Sequence, residues 1–322
     1  GAALAAVEVS SHALSQGRVD GVRFATAMFT NLKRDHLDYP ADMAEYFESK
    51  SRLFLDCNPR ERIINLDSEY GARLASMCGQ DVVTVSTQFD RVANGRPHVF
   101  VSSVVATELG STISFTISWG DGEFVLPLPG DFNVANAMLV LAFLLNRGVP
   151  LDMACDVMSQ VSAPPGRLQR VATDGPAVYV DYAHTPNAID GALQALRAHC
   201  RGKLWCVFGC GGDRDAGKRP QMAAAAERHS DHIVVTTDNP RSEDAAAIID
   251  EIVAGLSRED KLTIIEDRAA AIAWAIENAA DNDVVLVAGK GHEDYQEVAG
   301  QRTRFSDYAI AESALAARES AA

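Results

Sequence analysis

Four charged side chains in the C-terminal half of the sequence each follow an apolar run that predicts a strand. They are Arg214, Asp238, Arg241 and Glu293. Because ligands gather at the carboxyl ends of strands in a doubly wound sheet, we expect these side chains to lie near one another. Two cations and two carboxylates at one edge suit a ligand that carries both carboxylate and ammonium groups. The alternative, four unrelated surface charges, is disfavoured because all four follow predicted strands.

Two of these four charged residues lie in the junction Asp238-Asn239-Pro240-Arg241, between a predicted strand and a predicted helix. Proline stiffens the turn, and a helix that begins near Ser242 would direct the positive end of its dipole towards it. Asp238 and Arg241 then present opposite charges to one zwitterion. The glycine-rich stretch FGCGGDRDAGKRP does not satisfy the dinucleotide pattern G-x-G-x-x-G, and its charged DRD segment suits a zwitterion better than a pyrophosphate.

A second group of polar residues could bind a nucleotide. Asn136 lies beyond the cap of a predicted helix and would reach outward to a ligand. Arg167 follows Pro164-Pro165-Gly166 in a linker, where a guanidinium can bind phosphate oxygens in a bidentate manner; otherwise it is an ordinary surface arginine. Asp181 and His184 follow a predicted strand and suit ribose or base contacts, and a buried structural histidine is the competing interpretation.

Three residues of the N-terminal part could bind a metal. Glu8 ends a predicted strand, His36 follows another, and Lys50 lies in a predicted helix. Taken one by one, each is better explained as a solvated side chain. The runs SSH and RDHLD are nevertheless dense in oxygen and imidazole groups, and such a composition favours a Mg²⁺ site.

The pattern of residues 1–163 predicts a mostly parallel α/β sheet with an antiparallel ribbon at its edge. Short apolar runs at residues 5–10, 24–31, 62–67 and 81–86 alternate with helical segments. Between Val99 and Pro129, alternating strands with glycine turns predict the antiparallel ribbon. The run NVANAMLVLAFLLNRG predicts a helix that ends at Gly148, followed by Pro150.

Pro164-Pro165-Gly166 breaks this periodicity, and we place a domain boundary there. In residues 164–322, apolar strands begin at Ala177, Lys203, His232 and Asp283, and helical segments follow them. LTIIED from Leu262 is a fifth strand candidate. This alternation predicts a doubly wound, Rossmann-like domain with ligands at the carboxyl ends of its strands.

Composition narrows the classes of partner. The 322 residues carry 29 Lys and Arg against 44 Asp and Glu, a net charge of −15, which disfavours nucleic acid as a partner. Six cysteines show neither CxxC pairing nor zinc-ligand spacing with histidine, and such cysteines are typical of reduced thiols in a cytoplasmic protein. No apolar run reaches the length of a membrane span, and no signal peptide is predicted. We expect a cytoplasmic monomer.

In its motifs the chain resembles the Mur ligases of peptidoglycan synthesis. Nine motifs occur in the order seen in that family: EVSSHALSQGRV, NLKRDHLDYP, YFESKSRLF, GDFNVANAM, PPGRLQRV, DYAHTPNA, GDRDAGKRP, DNPRSED and GKGHEDYQ. The resemblance extends from Glu8 to Gln296 and is strongest to members that add 2,6-diaminopimelate.

The resemblance implies an ATP- and Mg²⁺-dependent amide ligation. The D-Glu carboxylate of UDP-N-acetylmuramoyl-L-Ala-D-Glu attacks the γ-phosphate of ATP and becomes an acyl phosphate. An amine of meso-2,6-diaminopimelate then attacks that carbonyl, and phosphate leaves from a tetrahedral intermediate. Such chemistry needs charge neutralisation more than a nucleophilic side chain.

The resemblance also implies roles for individual residues. Glu8, His36 and Lys50 match magnesium ligands, Lys50 as the carbamylated lysine of the family, and His36 and Lys50 are the implied catalytic residues. Ser10, Gln16 and Arg18 match contacts to the UDP-muramoyl dipeptide. The implied contacts to ATP are Asn136, Arg167, Asp181 and His184. The implied diaminopimelate site comprises Arg214, Asp238, Asn239, Pro240, Arg241, Gly289 and Glu293.

One feature of the family is missing from the sequence. The phosphate-binding pattern G-x-x-x-x-G-K-[ST] does not occur in it, nor does a domain that would bind uridine. We therefore expect the chain to be an N-terminally incomplete central domain with a whole C-terminal domain, and to be inactive towards ATP by itself.

Three alternatives remain at this stage. A lysine-adding ligase of the same kind would lack the arginine of DNPR, because lysine has no second carboxylate, so Arg241 argues against it. A folylpolyglutamate synthetase shares the architecture but should not carry DNPR followed by GKGHEDYQ. A non-catalytic module that binds an amino acid or a protein partner is the third.

Overall fold

The computed structural model describes residues 3–32, 43–88, 95–171 and 175–321, and the chain forms two units. The first unit comprises Gly1–Val105, Thr112–Leu126 and Asp131–Gln160. The second comprises Ala106–Ser111, Pro127–Gly130 and Val161–Ala322. Each unit is built around its own six-stranded sheet.

The first sheet has its strands in chain order, β1-β2-β3-β4-β5-β6. The strands are β1 (Thr26–Phe29), β2 (Glu61–Asn65), β3 (Val83–Ser86), β4 (His98–Thr107), β5 (Gly110–Ile117) and β6 (Gly120–Leu126). The helices are α1 (Ser11–Ser15), α2 (Met43–Leu55), α3 (Glu69–Met77), α4 (Asp131–Asn146) and α5 (Leu151–Met158). β1 to β4 pair in parallel.

The antiparallel ribbon predicted at the edge of this sheet is confirmed. Ser118, just after β5, donates its amide to the carbonyl of His98 at the start of β4, at 3.0 Å. At the other end of the two strands, the Thr107 hydroxyl donates to the carbonyl of Gly110, also at 3.0 Å. The start of β4 therefore lies opposite the end of β5, and the two strands run in opposite directions.

Residues 5–10, predicted as a strand, form neither strand nor helix, so that prediction is wrong. Leu4 and Val7 are 66% and 71% exposed. An apolar run becomes a strand only when a neighbour pairs with it and its side chains are buried. The sheet of the first unit instead begins at β1, where Ala27 and Phe29 are buried.

The second sheet has the order β11-β10-β9-β12-β8-β7, parallel except for β7. The strands are β7 (Gln169–Val171), β8 (Ala177–Asp181), β9 (Leu204–Phe208), β10 (His232–Val235), β11 (Leu262–Ile264) and β12 (Val284–Ala288). The helices are α6 (Pro186–Arg197), α7 (Lys218–His229), α8 (Ala245–Val253), α9 (Arg268–Asn278) and α10 (Asp307–Ala321). A hairpin of β13 (Tyr295–Val298) and β14 (Gln301–Arg304) lies outside the sheet.

Helices cover both faces of this second sheet. Alternate residues of a strand point to opposite sides, and both sets of apolar side chains are buried here. One face packs against α6, α7 and α8, with Phe208 and Ile233 in its core. The other face packs against α9 and α10, with Trp205 and Val207 in its core. The predicted doubly wound, Rossmann-like arrangement is confirmed.

The strand order determines where loops gather. β12 lies between β8 and β9, although the chain makes it after β11. The carboxyl ends of β8, β9, β10 and β12 therefore share one edge of the sheet, where doubly wound domains bind ligands. Among the residues that the structure describes, no helix has the length and apolar character needed to cross a membrane.

Candidate ligand-binding cavity

A cavity of about 460 Å³ lies at that edge of the second unit. Its lining includes six of the seven residues predicted for the diaminopimelate site: Arg214, Asp238, Asn239, Arg241, Gly289 and Glu293. The seventh, Pro240, lies between two of them in the chain. The structure thus brings together residues from positions 214 to 293 of the sequence.

A buried ammonium organises the acidic side of the cavity. Lys290 is 0% exposed, and its Nζ donates to Asn239 Oδ1 at 3.0 Å and to Glu293 Oε2 at 3.2 Å. Asn239 Nδ2 donates to the same Glu293 oxygen at 2.9 Å. Lys290 Nζ also lies 3.9 Å from Asp238 Oδ1. These bonds fix Glu293 through one of its two oxygens.

Asp238 is a buried carboxylate at this cavity. Burial raises its pKa, while the nearby charges of Arg268 and Lys290 lower it and those of Asp307 and Glu293 raise it further. Gly289 has φ +119°, and a Cβ added there would lie 2.6 Å from Asp238 Oδ2. Only glycine therefore allows the loop after β12 to approach this carboxylate.

Arg241 is held by its backbone as well as by its side chain. Its φ is +52°, in the left-handed region. Its amide donates to the carbonyl of Glu297 at 3.0 Å, and its carbonyl accepts from Ala299 at 2.6 Å. Arg241 Nη1 donates to the carbonyl of Gly212 at 2.6 Å. The β13–β14 hairpin and the glycine-rich loop therefore both determine where this guanidinium lies.

The loop that carries Arg214 is tied to the same junction. Asp213, at φ +54°, accepts from the Ser242 hydroxyl at 2.6 Å and from the Ser242 amide at 3.2 Å. These Ser242 hydrogen bonds lower the pKa of Asp213. Arg214 itself is exposed and donates to the carbonyl of Asp213 at 3.2 Å.

The predicted helix start near Ser242 is wrong. α8 begins at Ala245, and the side chain of Asp244 caps it by accepting from the amides of Ala246 and Ala247. Ser242 instead pairs with Asp213. Because dipole effects fall off within the first turn of a helix, we expect the dipole of α8, which begins at Ala245, to contribute little at Arg241.

Arg219, which the sequence did not single out, supports the glycine-rich loop. It is 2% exposed and donates to Glu251 Oε2 at 2.9 Å and to Glu243 Oε2 at 2.8 Å. Glu243 in turn accepts from the Asp213 amide at 2.5 Å. Arg219 is the arginine of the AGKRP segment, and this local sequence does not reveal its buried ion pairs.

Three residues predicted to contact a nucleotide lie beside an aromatic cluster after β8. The Arg167 guanidinium lies 5.4 Å from the centroid of the Tyr182 ring, and the ring of His184 lies 4.5 Å from it. The ring of His292 lies 5.3 Å from that of Tyr182, between ring centroids. Tyr182 and His184 also line the cavity. The rings of His184 and His292 are tilted against Tyr182 by 58° and 45°. Aromatic faces beside a cation suit a planar base and its phosphates.

Asp181, at the end of β8, accepts from the amide of Leu168 at 2.7 Å. Burial is the main cause that raises its pKa, and the Leu168 hydrogen bond and the charge of Arg167 oppose this rise. Asp181 therefore also holds the turn that carries Arg167. The fourth predicted nucleotide contact, Asn136, is exposed on α4 of the other unit.

The residues predicted in the N-terminal part do not form a comparable cluster in the described part of the chain. Glu8 is exposed, and Lys50 is half-buried with its Nζ 5.3 Å from the centroid of the Tyr46 ring. His36 lies outside the described residues. Of the predicted substrate contacts, Ser10 caps α1 and accepts from Ala13, Gln16 ends that helix, and Arg18 follows it.

Within residues 3–32, 43–88, 95–171 and 175–321, no three His, Cys, Asp or Glu side chains are grouped to hold a metal. Glu8 supplies one oxygen donor, whereas the ammonium of an unmodified Lys50 repels a cation. These two residues alone do not fit Mg²⁺.

Comparison with known protein families places this arrangement among peptide ligases. Residues 1–144 match the Mur ligase middle domain. Residues 166–291 match the family described as Mur ligase, glutamate ligase domain. The two matches follow each other along the chain without overlap.

Curated relatives include two UDP-N-acetylmuramoyl-L-alanyl-D-glutamate--2,6-diaminopimelate ligases. The protein of Coxiella burnetii is 46% identical over 321 residues, and the match covers 98% of this chain and 65% of the relative. The protein of Vibrio vulnificus is 46% identical over 316 residues, covering 98% of this chain and 64% of the relative. The chain thus spans slightly less than two thirds of each.

Solved structures agree on the fold. A structure of a UDP-N-acetylmuramoyl-L-alanyl-D-glutamate--2,6-diaminopimelate ligase has a TM-score of 0.74 and 35% identity, covering 97% of this chain and 64% of that one. A UDP-N-acetylmuramate-alanine ligase from Thermotoga maritima has a TM-score of 0.61 at 20% identity, covering 92% of this chain and 60% of that one. The second likeness concerns the fold alone.

Proposed function

This chain belongs to the Mur ligase family, and we propose that it adds meso-2,6-diaminopimelate to the D-Glu carboxylate of UDP-N-acetylmuramoyl-L-Ala-D-Glu as part of an ATP-dependent ligase. The relatives at 46% identity carry this activity in their names. Because the chain spans 64–65% of their length, the activity is a proposal for this sequence.

One observation carries the choice of amino acid: the charges around the cavity of the second unit. Arg214 and Arg241 provide two guanidinium groups, and Asp238 and Glu293 provide two carboxylates. Lys290 already pairs with Glu293 inside the protein. The remaining charges suit a ligand with more than one carboxylate and at least one ammonium, as in diaminopimelate.

Each residue then has a chemical task. Arg241 binds the distal carboxylate, which distinguishes diaminopimelate from lysine, and Arg214 binds the other carboxylate. Asp238 holds the ammonium that does not react, together with the Glu293 oxygen that neither Lys290 nor Asn239 occupies. Asn239 and Gly289 shape the cavity between them, Pro240 stiffens the turn, and the reacting amine is left free to attack the activated carbonyl as a neutral group.

The nucleotide would bind at the aromatic cluster. Arg167, Asp181 and His184 would hold ATP in the second unit, and ATP would supply the phosphoryl group that activates the D-Glu carboxylate. Asn136 of the first unit is a separate proposed contact to ATP. Arg167 is suited to phosphate because its guanidinium forms bidentate bonds. The two histidines beside Tyr182 offer planar surfaces to the base.

The first unit would bind the UDP-linked dipeptide through Ser10, Gln16 and Arg18. We also propose that Glu8, His36 and a carbamylated Lys50 bind magnesium, because carbamylation would turn the cation of Lys50 into an anionic oxygen ligand. Domain boundaries at 1–163 and 164–322, a cytoplasmic location and a monomeric state belong to the same proposal.

Isothermal titration of the 322-residue chain with meso-diaminopimelate and with L-lysine tests the proposal. We expect meso-diaminopimelate to bind at least about ten-fold more tightly, because lysine leaves the charged Arg241 without its carboxylate partner. Equal affinities would contradict the assigned specificity. The absence of binding heat for meso-diaminopimelate would favour a module that binds another partner.

A further inference from the structure

Arg268 is a fully buried arginine that none of the site predictions included. It is the first residue of α9, and it is 1% exposed. Its Nε donates to Asp307 Oδ1 at 2.8 Å and its Nη2 to Asp307 Oδ2 at 2.7 Å. Asp307, 0% exposed, is the first residue of α10. The pair is a bidentate ion pair that joins the starts of two helices.

The same guanidinium also holds the backbone on both sides of the cavity. Nη1 donates to the carbonyl of Thr237 at 3.2 Å, and Nη2 donates to the carbonyl of Ala288 at 2.9 Å. Thr237 immediately precedes Asp238, and Ala288 immediately precedes Gly289. One planar group therefore fixes the spacing between the two segments that carry the acidic side of the cavity.

We propose that Arg268, oriented by Asp307, is a positioning residue that sets the distance between the Asp238 segment and the Gly289–Glu293 segment and so adapts the cavity to an amino-acid ammonium. This inference rests on the proposed function, because it concerns the same cavity. Arg268 does not line the cavity itself, so it acts through the residues that follow the two carbonyls.

The spacing between these segments has little tolerance. A Cβ at Gly289 would lie 2.6 Å from Asp238 Oδ2 and 3.8 Å from Arg268 Nη2. A shift of either segment by a few tenths of an ångström would therefore change the room available beside the Asp238 carboxylate. The charge of Arg268 also opposes the rise in the pKa of Asp238 that burial causes.

A purely structural role makes a different prediction from a positioning role. Replacing a buried ion pair by apolar side chains of similar size is often neutral or stabilising for the fold. Such a replacement would leave the carbonyls of Thr237 and Ala288 without their shared donor. If Arg268 positions the cavity, ligand binding should suffer even where the fold is preserved.

The test uses the double variant Arg268→Met/Asp307→Leu and the single variant Arg268→Lys in the full chain. The lysine can still pair with Asp307, but one ammonium cannot span both carbonyls as the guanidinium fork does. We expect both variants to bind meso-diaminopimelate about ten-fold more weakly or worse in isothermal titration. We also expect faster hydrogen exchange at residues 237–241 and 288–293 without ligand.

Arg318→Met is the matched control. Arg318 binds the carbonyls of Ile276 and Ala279 and the carboxylate of Asp281, at the far end of α9 from the cavity. It therefore joins α10 to α9 as Arg268 does, without reaching the cavity segments. We expect this variant to lower the thermal midpoint while the dissociation constant of meso-diaminopimelate stays unchanged.

The outcomes separate the two proposals. Unchanged affinity and unchanged exchange at both segments in a folded Arg268 variant would overturn the positioning role. If the double variant does not fold, Arg268→Lys gives the same decision. If the unmodified chain does not bind meso-diaminopimelate, the proposed function fails, whereas the exchange measurement still decides whether Arg268 sets the spacing.

Discussion

The cavity of the second unit and the predicted site residues of the first unit differ in how the protein holds them. In the second unit, Asn239, Lys290 and Glu293 are linked by hydrogen bonds that exist without a ligand. In the first unit, Glu8 is exposed and Lys50 makes only a cation–π contact in the described structure. The cavity residues are therefore held by one another, whereas Glu8 and Lys50 are not held by a comparable network in the described structure.

The difference follows from the structural elements on which the two sets of residues lie. The cavity residues follow strands whose hydrogen bonds fix their ends, and buried cations then fix the side chains. Of the described first-unit residues, Glu8 lies before α1, Ser10, Gln16 and Arg18 lie around it, and Lys50 lies on α2; none of these five follows a strand directly. Substitutions in the cavity should therefore change ligand affinity strongly, whereas substitutions at the predicted residues of the first unit should change it weakly.

The largest effect is expected for Gly289→Ala. A Cβ at this position, with φ +119°, would lie 2.6 Å from Asp238 Oδ2. We expect a loss of about 3 kcal/mol in the free energy of unfolding, measured by urea denaturation, and a loss of meso-diaminopimelate binding. Gly300→Ala is the control, since Gly300 has φ +75° but open space around its Cβ position. Equal costs for the two variants would contradict the tight fit at the cavity.

Arg241→Ala is expected to rank second. Removing a guanidinium that binds a ligand carboxylate should weaken meso-diaminopimelate by about 2 kcal/mol, or about thirty-fold, in isothermal titration. The preference over L-lysine should largely disappear with it. Arg258→Ala, which removes an exposed arginine paired with Asp260, should change neither affinity. A variant that kept its preference for meso-diaminopimelate would show that another cation selects the ligand.

The effect of pH on ligand binding should be smaller than the effect of Arg241→Ala. Because burial raises the pKa of Asp238 above its ordinary value of 3.8, the ligand-free fold binds the proton more tightly than the unfolded chain. This contribution to stability is present at low pH and is lost as the pH rises through the raised pKa. Binding of an ammonium has the opposite sign, because it needs the ionised carboxylate and weakens as the pH falls through that pKa.

Titrations of meso-diaminopimelate at several acidic pH values, with Asp238→Asn for comparison, measure this contribution. We expect the affinity of the unmodified chain to fall on acidification by about ten-fold more than that of the variant. The same pH profile for both chains would mean that Asp238 does not face the ammonium.

Lys50→Met is expected to have the smallest effect. Its cation–π contact with Tyr46 should contribute about 0.5 kcal/mol to the free energy of unfolding. The dissociation constant of meso-diaminopimelate should not change, because no described residue of the first unit's α2 lines the cavity. Weaker binding in this variant would remove the contrast between the two regions.

Most of the fold could be predicted from the sequence, because each long strand or helix shows itself in the local spacing of its apolar residues. The ribbon from β4 to β6 and the strands β8 to β12 were predicted in this way. Residues 5–10 show the limit of the method, because an apolar run does not reveal whether a neighbouring strand is there to pair with it. The start of α8 was predicted too early because the Asp213–Ser242 pairing joins distant parts of the chain.

The cavity was predicted as a set of strand-end residues, and its internal supports were missed. Lys290 lies inside the motif GKGHEDYQ, yet nothing local shows that its ammonium is buried beneath Glu293. Arg268 and Arg219 look like ordinary basic residues in the first turns of α9 and α7. Their partners are decided by strand order, and strand order is a long-range property that a single sequence does not state.

The place of β12 in its sheet also affects how the protein is synthesised. In the first unit every strand pairs with the one made just before it, so the sheet can grow as the chain leaves the ribosome. In the second unit β8 and β9 must wait for residues 284–288, which occupy the gap between them. Until then the nascent chain exposes unpaired apolar strands, a state that favours aggregation and chaperone binding. The cavity at the edge of the second sheet is therefore completed only after residues 284–295 have been made.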